Sequence, residues 1–154
     1  MRDETAGLSV AAQGSGAHAD SFRVVAEAHG DEPDIHFLCL SLADQSDDHC
    51  ARLQPILDRY GEAPDDDEPE RLHAAGVAKA RSGPLGMLRD LQDLYLLASL
   101  TDITWTMIKQ AGQALRDREL LEVVAECDKE TSVQLRWLST RMKHAAPQVL
   151  IAAR

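Results

Sequence analysis

The residues of this sequence that could do chemistry are four side chains of metal-ligand type in two helical segments. Glu126 and Glu130 stand four residues apart, and Asp48 and His49 lie together in a second segment with helical spacing. Residues four apart share one face of a helix, and carboxylates with imidazole suit iron or manganese. Helical bundles hold such ions when ligands from facing helices point inward. We therefore take His49, Asp48, Glu126 and Glu130 as candidate metal ligands.

Each candidate also has a structural explanation, which the patterns favour over metal binding. His49 falls on the apolar stripe of its segment, where a hydrogen-bonded core histidine is common. Glu126 and Glu130 flank a stripe formed by Cys127 and Thr131, so a solvated acidic edge is the favoured explanation for them. None of the three long predicted helices contains the Glu-x-x-His pair that a carboxylate-bridged two-metal centre needs.

Charge and hydropathy exclude several classes of function. Residues 1–70 carry 17 acidic and four basic side chains (net −13), whereas residues 71–154 carry nine and 12 (net +3). Nucleic-acid binding needs clustered Lys and Arg, so we expect no nucleic-acid partner. No apolar run approaches the roughly 20 residues of a membrane span, and the first residues do not resemble a signal peptide. These features predict a cytoplasmic protein without a membrane partner.

The cysteines point to the same compartment. The chain has three, Cys39, Cys50 and Cys127, and no CxxC motif. Cys39 and Cys50 fall on one predicted helix at a helical rise of roughly 16 Å, which is beyond the reach of a disulfide. Reduced thiols are typical of the cytoplasm.

The elements that must position these residues are predicted to be helices throughout. Only 4% of the residues are aromatic, and a core of Leu, Ala, Val and Ile favours helices over a β-sandwich. We expect one helical-bundle domain over residues 21–146, between a disordered tail (1–20) and an apolar C-terminal tail (147–154). The predicted elements are a short helix over 21–30, long helices over about 35–60, 83–111 and 116–144, and an acidic linker over 62–70.

Prolines and a glycine are expected to shape the helix ends. Pro55 predicts a kink or break in the first long helix, Gly112 separates the second from the third, and Pro147 ends the third. The apolar tail after Pro147 either folds back over the bundle or docks on a partner or second copy. In the second long helix, a stripe that includes Leu100 and Met107 is expected to widen the buried face.

The segment from Leu88 to Leu138 resembles the ferritin-like helical hairpin of the YciF-type stress proteins. DLYLLA (93–98) is similar to the family's DLYDAE opening, and CDKETSVQLRWL (127–138) is similar to its H-x-x-E-T-x-x-Q-x-x-x-L pattern. The resemblance implies an all-α, ferritin-like antiparallel bundle with three long helices and a short one.

Two departures from the family pattern fall on metal-ligand positions. Ala98 stands where the family has an acid, and Cys127 stands where it has a histidine. The resemblance therefore implies a divergent member with degenerate ligand positions, although a site rebuilt from His49, Asp48 and Glu126 remains open.

We therefore expect a non-catalytic protein that acts through self-association as a homo-oligomer or through a protein partner. It has no cofactor in this hypothesis, and the resemblance adds a stress-related role. The alternative is a metal-dependent oxidase or ferroxidase that binds iron or manganese at a modified carboxylate site. A third hypothesis is a bundle that binds a small molecule in the cavity where a metal centre would otherwise sit.

Overall fold

The computed structural model describes residues 18–60, 76–77 and 79–152, with only the backbone described at residue 57. In these ranges the chain forms an all-α bundle and contains no β-strand. Helix α1 covers residues 18–28, α2 Pro33–Tyr60, α3 Gly83–Leu115 and α4 Arg118–Leu150. The predicted set of three long helices and a short one is confirmed. None of the helices in the described ranges combines the length and apolar character that a bilayer crossing requires.

Contacts between helices fix their relative directions. Gln45 of α2 bonds Gln134 of α4, whereas Tyr60 at the end of α2 bonds Asp117 at the start of α4, so these helices are antiparallel. Helix α3 is also antiparallel to α4, because only Arg116 and Asp117 separate them and they pack along their lengths. Helices α2 and α3 are therefore parallel, and the end of α2 and the start of α3 lie at opposite ends of the bundle.

The turn between α3 and α4 lies at Arg116 rather than at Gly112. Arg116 has a φ of 55°, and its N–H donates to the Gln113 carbonyl. Asp117 then caps α4 by accepting a hydrogen bond from the Leu120 N–H at 3.1 Å. Gly112 is buried within α3, where a Cβ atom would lie 3.1 Å from a methyl group of Leu121. The glycine permits close helix packing, so its predicted role as a helix break was wrong.

Neither internal proline interrupts its helix. Helix α2 runs through Pro55 to Tyr60, and α4 runs through Pro147 to Leu150. A proline removes one N–H donor but keeps its carbonyl, and the Pro147 carbonyl accepts the Ile151 N–H at 3.2 Å. The predicted apolar tail is therefore helical over 147–150, and Val149 packs against the core. Residues 153–154 lie outside the described ranges.

The start of α1 also differs from the prediction. Residues 18–20, assigned to a disordered tail, are helical, and His18 and Ala19 are buried. Residues 1–17 and the acidic linker 62–70 lie outside the described residues. The described positions between that linker and α3, 76–77 and 79–82, are not helical.

The core consists of two apolar clusters, one at each end of the bundle. The first contains residues from all four helices: Phe22, Val25, Ala26, Ile35, Cys39, Leu42, Ala43, Met87, Leu91, Leu94, Ala98, Leu138 and Ala145. The second lies near the α3–α4 turn and contains residues from α2, α3 and α4 only: Leu53, Ile56, Trp105, Ile108, Leu120, Val124 and Cys127. The short α1 therefore covers only one end of the three-helix core.

A buried carboxylate joins the α1–α2 turn to the start of α3. Asp90 is 0% exposed, and its oxygens accept hydrogen bonds from His29 Nε2 at 2.8 Å and from the Arg81 N–H at 2.9 Å. The Arg81 guanidinium contacts Asp90 at 2.9 Å and also the more exposed Asp93 at 2.8 Å. These bonds compensate a charge that would otherwise be costly to bury.

We expect Asp90→Ala to lower the free energy of unfolding by roughly 3 kcal/mol, because it leaves a buried histidine unpaired. Asp93→Ala is the matched control, since it removes a carboxylate bound to the same Arg81 from a solvent-exposed position. Urea unfolding followed by circular dichroism measures both effects. Equal losses in the two variants would contradict a stabilising role for the buried Asp90 cluster.

Candidate functional site

A layer of buried polar side chains separates the two apolar clusters, and we call it the polar layer. Every helix contributes to it, and its members are His18, Ser46, His49, Thr101, Thr131 and Gln134. Polar groups at this depth are costly unless they form hydrogen bonds. The hydrogen-bond partners of these six side chains therefore determine which chemistry is possible at the centre of the bundle.

Hydrogen bonds between helices satisfy part of the polar layer. Trp105 Nε1 donates to the Thr131 hydroxyl at 2.9 Å, joining α3 to α4. Gln134 Nε2 donates to Gln45 Oε1 at 2.8 Å, joining α4 to α2. The hydroxyls of two other members donate to carbonyls one turn earlier in their own helices: Ser46 and Thr101. These bonds fix the register of α2, α3 and α4.

His49 connects the polar layer to the acidic edge of α4. Its Nε2 lies 2.7 Å from Glu130 Oε2, and its ring packs edge-on against Trp105. Burial lowers the pKa of His49, although the hydrogen bond and charge of Glu130 act in the opposite direction. His49 is thus held as a neutral imidazole that donates its Nε2–H to the Glu130 carboxylate.

The three predicted carboxylate ligands converge on Arg52. Its guanidinium lies 2.6 Å from Asp48, 2.5 Å from Glu126 and 3.2 Å from Glu130. Burial would lower the pKa of Arg52, but the hydrogen bond and charge of Glu130, with the charge of Asp48, raise it above its ordinary value. The side chain therefore remains a cation held by three carboxylates.

This arrangement does not fit a resident metal ion at the predicted ligands. The position between Asp48, Glu126 and Glu130 is taken by the Arg52 guanidinium, which a metal would have to displace while breaking three ion pairs. Within residues 18–60, 76–77 and 79–152, no three His, Cys, Asp or Glu side chains are grouped so that they could hold a metal. The four donors lie close to one another, but the three carboxylates surround the Arg52 guanidinium and His49 contacts Glu130.

The three acids predicted as ligands lie close together, around a residue that the sequence patterns did not single out. Arg52 stands four residues after Asp48, the helical ion-pair spacing that could have identified it. Glu70 and His73 form a Glu-x-x-His pair outside the three long helices, and both lie outside the described residues.

His18 is the second residue of the site that the sequence did not reveal, because it fell within the predicted disordered tail. It is 1% exposed, stacks on Phe22 with ring centroids 4.5 Å apart, and its Nε2 has no hydrogen-bond partner. Burial, with a smaller contribution from the charge of His49, lowers the pKa of His18 to about 4. His18 is therefore neutral at physiological pH.

The buried cysteines do not supply a nucleophile. Burial raises the pKa of both the Cys39 and the Cys127 thiols to about 12, so neither forms a thiolate near neutral pH. For Cys127 the nearby Arg52 charge acts in the opposite direction without reversing the shift. Cys127 behaves as a small apolar residue of the second cluster.

No protein-family model, curated protein or solved structure matches this chain. The resemblance to ferritin-like stress proteins thus stays a prediction from the sequence.

The buried His18 makes stability depend on pH. The unfolded chain binds a proton near the ordinary pKa of 6.5, whereas the folded chain does so only near 4. Between these values the unfolded state holds more protons, so stability falls as the pH is lowered from about 6.5 towards 4. The difference corresponds to on the order of 3 kcal/mol for this group.

We expect His18→Gln to flatten the pH dependence of the free energy of unfolding between about pH 6.5 and 4.5. Denaturant titrations at several pH values measure this slope. His144→Gln, which changes an exposed histidine of α4, is the control and should retain the wild-type slope. Identical slopes in all three proteins would show that His18 is not held neutral by burial.

Proposed function

We propose that this chain is a non-catalytic, ferritin-like helical bundle of the cytoplasm that acts by associating with a protein surface, either a second copy or a partner. The observation that carries the proposal is the ion-pair cluster of Arg52 with Asp48, Glu126 and Glu130. A guanidinium neutralises carboxylates, but it does not coordinate ligands as a metal ion does and it undergoes no redox change. Metal-dependent chemistry would require an ion at this place.

The helix directions support the ferritin-like part of the proposal. Bundles of that type have one long crossover connection. Here α2 and α3 are parallel, so their connection joins opposite ends of the bundle, whereas α3 and α4 form a tight antiparallel hairpin. Helix α1 is antiparallel to α2, because they are joined by a short turn and Arg23 pairs with Asp47 of α2. The two departures at Ala98 and Cys127 support the loss of metal ligands.

The state of the cysteines supports the cytoplasmic location. Cys39 and Cys127 are free thiols and both are buried. Persistent free thiols are typical of a reducing compartment. A stress-related role rests on the sequence resemblance alone.

The proximity of His49, Asp48, Glu126 and Glu130 favours one alternative. These donors could form a di-iron or di-manganese oxidase or ferroxidase site if Arg52 swung away and its three ion pairs broke. The small-molecule hypothesis has less support, because side chains hydrogen-bonded to one another lie between the two apolar clusters.

We expect wild-type protein exposed to Fe(II) or Mn(II) and then desalted to retain less than about 0.1 equivalent of metal by elemental analysis. Arg52→Gln should retain more, because it removes the cation while leaving the four donors in place. Arg23→Gln is the matched control, since Arg23 also contacts three carboxylates, Asp20, Asp44 and Asp47, on an exposed surface. Retention of one equivalent or more by the wild type would overturn the non-catalytic role.

A further inference from the structure

The outward face of α3 carries a stripe of exposed apolar side chains. Leu96, Leu100, Ile103 and Met107 are 62%, 39%, 52% and 59% exposed. The sequence pattern predicted that Leu100 and Met107 would be buried, and this was wrong, because both side chains are exposed in the structure. Their spacing of four, three and four residues is that of a coiled-coil seam. We call these four residues the outer stripe.

The outer stripe makes α3 apolar on two faces. Its opposite face packs into both core clusters through residues such as Leu94 and Trp105. A contiguous apolar patch on an otherwise polar surface often marks an interaction site. Helices α2 and α4 differ from α3, because their exposed faces carry many charged residues.

Few charges surround the outer stripe. Along α3 from Gln92 to its end at Leu115, Lys109 is an exposed charged residue and Asp102 is half-buried. Asp93, which precedes Leu96 by three residues on the same face, is half-buried and paired with Arg81. A helix that lies on a membrane surface needs basic residues along its polar edges, which this helix lacks. A partner recognised by charge would likewise find little to bind here. The outer stripe therefore suits an uncharged, apolar helix.

We propose that the outer stripe is the contact between two copies of this chain, with the two α3 helices packed antiparallel about a two-fold axis. This deepens the proposed function, on which it rests, by naming a second copy as the associating surface. In this arrangement Leu96 meets Met107 of the second copy, and Leu100 meets Ile103. Arg89 and Asp93 precede the stripe on the same face and face the Ala114 and Gln110 positions, so no like charges meet. The stripe is thus complementary to itself, as an isologous contact requires.

The area of the stripe indicates a small interface. The exposed parts of its four side chains amount to on the order of 400 Å² per copy, the size of a functional apolar patch. If roughly 60% of the interface is apolar, the dimer buries roughly 1,300 Å² in total. This lies at the low end of specific interfaces, so the dimer is weak and depends on protein concentration.

Sedimentation velocity of the full chain from about 1 to about 200 µM tests the proposal. We expect a monomer–dimer equilibrium, with Ile103→Glu raising the dissociation constant at least tenfold. Val133→Glu is the matched control, because Val133 of α4 is also 52% exposed but lies outside the stripe, and it should change the constant less than twofold. Raising the salt concentration should not weaken the dimer, because each copy carries a net charge of −10.

Cysteine cross-linking tests the antiparallel orientation. A mixture of Leu96→Cys and Met107→Cys proteins should form a disulfide-linked heterodimer faster than either variant alone forms a homodimer. Faster homodimer formation would mean a parallel pairing and would overturn the proposed geometry.

The remaining outcomes distinguish a failure of the dimer proposal from a failure of the proposed function. A wild-type monomer over the whole concentration range, or equal effects of Ile103→Glu and Val133→Glu, would overturn the dimer. A monomer that also retains no metal would leave the non-catalytic role in place, with a different protein as the partner. Retention of metal would overturn that role whatever the oligomeric state. Circular dichroism of each variant confirms that it remains folded.

Discussion

The compensation of buried and half-buried charge by Arg52 is the interaction on which the centre of this bundle depends. Glu130 accepts from both His49 and Arg52, so one carboxylate links the polar layer to the solvent-facing ion pairs. Without the guanidinium, three carboxylates would repel one another across the contact between α2 and α4. With it, these two helices are held together by a network in which each charge has a partner.

The polar layer gives the bundle its specificity, whereas the two apolar clusters give it most of its stability. Apolar side chains tolerate sliding and rotation between helices, since many arrangements bury similar areas. The bonds from Trp105 to Thr131 and from Gln134 to Gln45 exist in only one register. A shift of one helical turn would leave buried polar atoms unpaired, and such atoms are costly.

Local periodicity in the sequence was sufficient to predict the three long helices and the α3–α4 hairpin. It failed where tertiary packing decides the outcome. Gly112 and Pro147 are helix breakers by local propensity, but helix contacts and retained hydrogen bonds keep them helical. The position of Arg52 among acids from two helices, and the outward direction of Leu100, depend on how the helices are arranged in space. A single sequence does not contain that information in its spacing.

The parallel arrangement of α2 and α3 has a consequence for how the chain reaches this structure. The hydrogen bond between Trp105 and Thr131 spans 26 residues, whereas the bonds from α2 to α4 at His49 and Gln45 span 81 and 89. Closing the longer loops costs more chain entropy before any contact compensates for it. The α3–α4 hairpin is therefore the natural folding nucleus, and it offers α2 a preformed surface. The ion pairs of Arg52 with Glu126 and Glu130 of α4 then form late in folding.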